Sequence, residues 1–286
     1  MTQTMRFGIN GWVWTSPVTT QEVERLAPLV KQLGFDHFEI PLETIGDVDS
    51  SRAGEILREH GLTISTCAAM GPDHDLIHAD EAIRANGKNY LMQGIEATRA
   101  LGATNFVGPL YSAVGRTWQQ SAIERARDLD LLTATLRELG EYAGDNGVTL
   151  CVEPLNRFET SFVNLAAQAC EIVDRVQHPQ VGVLLDTFHM NIEEKSLGDA
   201  IRLTGARLKH LHACENDRGA PGTGHVPWHS VAQALKEIRY DGPVVIESFT
   251  PQVKSIARAA AIWREFEPSP DALAEKGANF LRQLLR

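Results

Sequence analysis

The chain has 286 residues, 43% of them hydrophobic and 22% charged, with 27 Lys and Arg against 37 Asp and Glu. That composition is ordinary for a globular protein, and the net charge of −10 argues against a nucleic-acid binder, which needs a basic face to neutralise phosphates. No apolar run reaches the roughly 18 residues of a membrane span, and the start, Met1-Thr2-Gln3-Thr4-Met5-Arg6, lacks a signal-peptide core, so no membrane partner is expected.

The cysteines, Cys67, Cys151, Cys170 and Cys214, form no Cys-x-x-Cys pair. Three of them fall inside predicted strands or a helix, where free thiols are commonly buried. Reduced cysteines and a cytoplasmic location are expected.

From the N-terminus, Arg6 to Trp14 reads as a first strand and Thr20 to Leu33 as a helix, with Val23, Leu26, Leu29 and Val30 at helical spacing. Gly34 stops that helix where glycine accepts the left-handed conformation. Phe35 to Pro41 is the second strand, Ser50 to His60 the second helix and Leu62 to Ala68 the third strand. A long helix follows from about Asp80 to Leu101, then a strand over Thr104 to Val107, and a helix within Thr117 to Asn146. Four more strands end at Glu153, Asp186, His212 and Glu247, separated by helices near 164–176, 196–203 and 229–239. A last helical region covers 255–285, interrupted at Glu267-Pro268-Ser269-Pro270. Strands alternating with helices imply parallel pairing and right-handed crossovers. Eight such units at close to the ~250 residues of a barrel domain predict an α/β fold, a single-domain (β/α)8 TIM barrel over 1–286. An open doubly wound sheet is the competing arrangement.

The last four strands carry the chemistry. In a barrel their carboxyl ends converge on one face, which brings Glu153, Asp186, His212 and Glu247 together. Three carboxylates and an imidazole in one place call for a cation. Capping of the next helix is the alternative for any one of them, but not for four strand ends in succession. With no thiolate in the set, Mn²⁺, Co²⁺ or Mg²⁺ suits it better than structural zinc. Strand parity points Thr149, Cys151 and Glu153 inward, and likewise Gly182, Leu184 and Asp186. His210 shares the inward parity of His212 one layer deeper and reads as a hydrogen-bonded interior histidine. Glu153 and Glu247 reach the metal from different sides, so one can take a proton from carbon while the other delivers one to the opposite face. A metal that polarises the carbonyl makes this feasible through an enediolate. The arrangement suits epimerisation next to a carbonyl.

Three segments make a family resemblance visible: Glu153-Pro154-Leu155-Asn156-Arg157-Phe158-Glu159-Thr160, Leu185-Asp186-Thr187-Phe188-His189-Met190-Asn191 and Pro221-Gly222-Thr223-Gly224-His225-Val226-Pro227-Trp228. Together with Gly108-Pro109-Leu110-Tyr111, Glu247-Ser248-Phe249 and Ala261-Ile262-Trp263-Arg264, they resemble the ketose 3-epimerases acting on D-tagatose, D-allulose (D-psicose) and L-ribulose, in the xylose isomerase-like barrel superfamily. The resemblance implies Glu153, Asp186, His212 and Glu247 as metal ligands, with the two glutamates as the acid–base pair. It implies Glu159, His189 and Arg218 as holders of the ketose oxygens near C1 to C3. It further implies Mn²⁺ or Co²⁺, an unphosphorylated ring-opened ketose as the small-molecule partner, and a homodimer or homotetramer.

The residues themselves leave simpler roles open for the second set. His189 can be a loop histidine bonded to backbone, Arg218 can pair with its neighbours Glu215 and Asp217, and Glu159 with Arg157. Arg157 reads as a brace for the loop after strand five. Asn10, Trp12, Cys67, Leu110 and Trp118 lie at or near strand ends where substrate would enter. The first strand carries Asn10 where relatives often have an aromatic or histidine, which leaves the preferred sugar open. The loop Gly219-Ala220-Pro221-Gly222-Thr223-Gly224 reads as a turn shaping the pocket wall rather than a phosphate cradle. Competing activities are an aldose–ketose or hydroxypyruvate-type isomerase, an endonuclease-like phosphodiesterase, disfavoured by the charge, and a non-catalytic sugar-binding barrel.

Overall fold

The strands are short and almost wholly buried, covered on both faces as parallel strands need to be. The computed structural model describes residues 5–285. Its strands are β1 (Arg6–Asn10), β2 (His37–Pro41), β3 (Thr63–Cys67), β4 (Asn105–Gly108), β5 (Thr149–Val152), β6 (Val181–Asp186), β7 (Leu208–His212) and β8 (Pro243–Ile246). They pair in sequence order, all parallel, and β8 closes onto β1. The helices packed around them are α1 (Thr20–Gln32), α2 (Ser50–Glu59), α3 (Glu81–Leu101), α4 (Ala122–Asp145), α5 (Ala166–Val176), α6 (Thr187–Glu193), α7 (Leu197–Thr204), α8 (Trp228–Glu237), α9 (Lys254–Ala259) and α10 (Pro270–Leu285). The expected TIM barrel is what the chain forms.

Local chemistry sets the ends. Thr19 caps α1, whose buried stripe is Val23, Leu26, Ala27 and Val30, and Gly34 follows at φ +85° as the stop. Helix α4 lies within the expected Thr117 to Asn146 and starts at Ala122 because Ser121 and Glu124 form a reciprocal capping box. Strand β1 ends at Asn10, not Trp14, since Asn10 Oδ1 accepts from the Trp12 N–H at 2.9 Å and turns the chain into a single 3₁₀ turn. Ten helices replace the expected eight among the described residues. One addition, α6, begins directly at the end of β6, where Asp186 Oδ1 accepts from the Phe188 N–H at 2.8 Å. The other arises because the break in the last helical region is longer than Glu267–Pro270 and separates α9 from α10.

The main core lies between sheet and helices, while Cys67, Val107, Cys151 and Leu184 form a small separate cluster inside the barrel, with Trp12 over it. Leu184 pairs with His210 and Asp186 with His212 in the β6–β7 register, which sets His210 one inward-facing position below His212. Gly108, at φ +131°, lets β4 pass close to β3; a Cβ there would sit 2.1 Å from the Ala68 carbonyl oxygen. Among the described residues no helix is long and apolar enough to cross a membrane.

Candidate active site

The carboxyl ends of β5 to β8 deliver Glu153, Asp186, His212 and Glu247 to one point. One ligand-type atom from each lies within 4.8 Å of the others, and all four residues are buried. The imidazole defines the centre. His212 Nε2 lies 2.8 Å from Glu39 Oε1, and since a carboxylate only accepts, the ring donates there. Nδ1 is then the free face. It lies 3.5 Å from Glu247 Oε2 and 3.9 Å from Glu153 Oε1, with no hydrogen-bond partner. A buried ring nitrogen aimed at three carboxylates, with one guanidinium to balance them, leaves excess negative charge that a divalent cation neutralises. The residues fit such an ion.

The protonation tendencies follow from the same crowding. Burial pushes Glu153 well above the ordinary carboxylate range, and the Glu247 and Asp186 charges add to it. Burial acts the same way on Glu247, but His212 and Arg218 outweigh it and hold that carboxyl below its usual value. His212 is raised despite its burial by Glu247 and Glu39.

Arg218, His189 and Glu159 stand around this centre. The Arg218 guanidinium donates to Asp186 Oδ2 at 2.5 Å and to Glu247 Oε2 at 2.8 Å, between the rings of Phe188 and Phe249. It therefore does not pair with its sequence neighbours: Glu215 is engaged elsewhere and Asp217 binds Arg264 at 2.9 Å. His189 Nδ1 accepts from the Asn156 backbone N–H at 3.1 Å, while its Nε2 faces Arg218 Nη2 at 3.2 Å and lies 3.7 Å from both Glu153 and Asp186. Burial lowers its pKa to about 3, so the ring is neutral. Glu159 accepts from Asn156 Nδ2 at 2.7 Å, and burial raises its carboxyl. Arg157 is not its partner; it binds Glu193 through both its side chain and its backbone N–H and ties the loop after β5 to α6.

The Xylose isomerase-like TIM barrel model matches residues 27–284. A ketose 3-epimerase of Arthrobacter globiformis is 32% identical over 98% of this chain and 97% of its own. The chain belongs to the ketose 3-epimerase family. Two solved structures match the whole epimerase barrel. D-allulose 3-epimerase from Methylomonas sp., in complex with D-allulose, superposes with a TM-score of 0.91 at 29% identity, covering 99% of this chain and 98% of the other. D-psicose 3-epimerase from Clostridium cellulolyticum H10, with D-tagatose, gives 0.89 at 30%, covering 99% and 100%. Family membership makes the protein an isomerase by class.

In this epimerase family member the pocket above the centre has a volume of ≈160 Å³. Its floor is polar, built from Glu153, His189, His212, Arg218, Glu247 and Glu159, and one wall is apolar, with Trp12, Phe249, Ile256, Ala259 and Ala260. Of the five expected pocket residues, Trp12 and Cys67 line it. Asn10 lies just beneath, bonded to Glu39 and Cys67. Leu110 is instead fully buried in the main core. Trp118 is instead exposed, with the Arg116 guanidinium over its ring. Sequence reasoning missed Glu39, the α9 wall and Glu215. The buried Glu215 carboxylate accepts from the backbone N–H groups of Gly222 and Val226 and from Trp228 Nε1, at 2.8, 2.9 and 2.8 Å, and so folds the glycine-rich loop into a wall. Its signal was an acidic residue three positions beyond His212, ahead of a segment rich in free N–H groups.

Proposed function

We propose that this chain is a divalent-metal-dependent epimerase that inverts C3 of free ketoses, removing a proton from one face of the carbon and returning one to the other through an enediolate. The observation that carries it is the placement of Glu153 and Glu247 after β5 and β8, with Asp186 and His212 on the two strands between. The two glutamates approach from opposite edges of one ligand set, as two-face proton transfer requires. Positioned acid–base groups contribute about 10²–10⁴-fold.

Glu153, Asp186, His212 and Glu247 would hold the cation, for which we favour Mn²⁺, with Co²⁺ or Mg²⁺ as alternatives. When bound, it supplies Lewis acidity that polarises the ketose carbonyl. We assign Arg218 and neutral His189 as donors to the ketose oxygens around C1 to C3, and Glu159 as their third holder. Arg218 is the one Lys or Arg in the described pocket lining, and two carboxylates already engage it. That leaves no cation for a phosphate and favours an unphosphorylated sugar. D-allulose and D-tagatose, bound by the solved relatives, are the first substrates to try.

Incubation with Mn²⁺ and D-allulose, D-tagatose, D-fructose or L-ribulose in D₂O is expected to give the C3 epimer carrying deuterium at C3. Absence of both with every ketose refutes the assignment, and a dominant aldose product favours the aldose–ketose isomerase instead. We also infer a cytoplasmic homodimer or homotetramer. The four cysteines are buried and unpaired, and Phe158 and Trp263, 76% and 74% exposed, give a second copy apolar surface to cover. A monomer on size exclusion overturns the assembly.

A further inference from the structure

Beneath the four strand ends lies a polar layer that the proposed reaction does not use. Its centre is Glu39, on β2, with no exposed surface. Oε1 accepts from Asn10 Nδ2 at 2.9 Å and His212 Nε2 at 2.8 Å. Oε2 accepts from the Ser65 hydroxyl at 2.7 Å, and His210 Nε2 lies 2.9 Å away, off the ring N–H axis. His37 Nε2, 2.8 Å from Ser65 Oγ, backs that hydroxyl from below. A carboxylate, acceptor-only at both oxygens, satisfies the Asn10, His212 and Ser65 donors at once. A lone buried carboxylate is costly, so what its hydrogen bonds hold in place becomes the question.

They hold His212. With Nε2–H facing Glu39, the nitrogen left to face Glu153 and Glu247 is Nδ1, which has no hydrogen-bond partner and would offer its lone pair to a bound cation. We propose that Glu39 is a positioning residue that fixes the tautomer and the ring plane of His212, completing a carboxylate–histidine–metal triad. This rests on the metal-site reading above. Glu39, His210 and His212 could also be taken as ligands of a second ion, since their donor atoms lie within 4.8 Å of one another. The Asn10 and Ser65 donors already on both Glu39 oxygens oppose a cation there.

Mn²⁺ titration into metal-stripped protein, followed by electron paramagnetic resonance, tests the triad. Glu39→Gln is expected to bind Mn²⁺ about 10–100-fold more weakly than wild type, with unchanged circular dichroism, and Asp186→Asn to lose binding further. Wild-type affinity in Glu39→Gln alongside weakened Asp186→Asn overturns the inference and leaves the metal site standing. Two Mn²⁺ per wild-type chain, falling to one in Glu39→Gln, also overturns it, by making Glu39 a ligand. Failure of the wild type to bind Mn²⁺, Co²⁺ or Mg²⁺ removes the metal site itself. A second measurement needs no variant: long-range ¹H–¹⁵N spectra of the Mg²⁺-loaded protein should show His212 protonated on Nε2 alone, and a proton on Nδ1 refutes the triad.

Discussion

Replacing Arg218 with alanine isolates the electrostatics of the centre. The side chain is 5% exposed and ion-paired to Asp186 at 2.5 Å and Glu247 at 2.8 Å. Removing it leaves two buried carboxylates uncompensated, a change that costs about 3–5 kcal/mol. Losing the stacking on Phe188 and Phe249, at 4.1 and 5.2 Å from their ring centres, adds about 2 kcal/mol at this desolvated site. The backbone adds nothing, since alanine is as strained as arginine at φ +69°. At about 2 °C per kcal/mol for a chain of this size, metal-stripped Arg218→Ala should melt ~10–14 °C below wild type. Saturating Mn²⁺ restores positive charge beside the same carboxylates, and the deficit should then shrink to the stacking share, ~4 °C. Scanning calorimetry of both proteins in chelator and in Mn²⁺ reads all four values. Equal deficits with and without Mn²⁺, or one under ~2 °C in chelator, refute the reasoning. Arg218→Gly relieves about 1–2 kcal/mol of left-handed strain, less glycine's extra chain entropy, so it should melt slightly above the alanine variant in both conditions.

Chelation should abolish C3 exchange, and Mn²⁺ at ~100 times its Kd should restore it while adding about 2.7 kcal/mol of stability; no thermal shift with any of the three ions counts against the site. Glu215→Ala removes the acceptor of four donors, the N–H groups of Asn216, Gly222 and Val226 and Trp228 Nε1, at about 1–3 kcal/mol for each that stays buried, so limited proteolysis should cut within 219–224 well before wild type is nicked. Gly94→Ala drives a Cβ to 2.4 Å from Phe106 Cε1 and should cost about 1–3 kcal/mol by overpacking, measured by urea unfolding, with kcat at 25 °C unchanged because the contact lies between helix and sheet, away from the pocket.

The sequence made the barrel legible because each strand ends on a turn signal and each helix shows its apolar face. Four strand ends bearing ligand-type residues made the centre legible for the same reason, since parallel strands aim their ends at one place. Glu39 stayed hidden because it lies inside a strand, His37-Phe38-Glu39-Ile40-Pro41, and its partners Asn10, Ser65, His210 and His212 come from three other strands. Parity placed His210 inside the barrel, but only the closed structure supplies its carboxylate neighbour. Helix α6 was obscured because Asp186 was read as the end of a strand, although the same residue also opens a helix. Leu110 was assigned to the pocket from its position past β4, where the sharp turn at Gly108 buries it instead.

Asn10, Asp186 and Asn156 share a consequence. Each joins one side-chain oxygen to a backbone N–H two residues on, of Trp12, Phe188 and Phe158 respectively. The remaining polar atom reaches inward, to Glu39, to Arg218, or to Glu159. These side chains are rivets, one end hammered into the main chain and the other gripping the reactive groups, so their rotamers are fixed when the barrel folds rather than when sugar arrives. Attempts to retune which ketose this scaffold accepts therefore have their latitude in the apolar wall of Phe249 and α9, which the rivets do not touch.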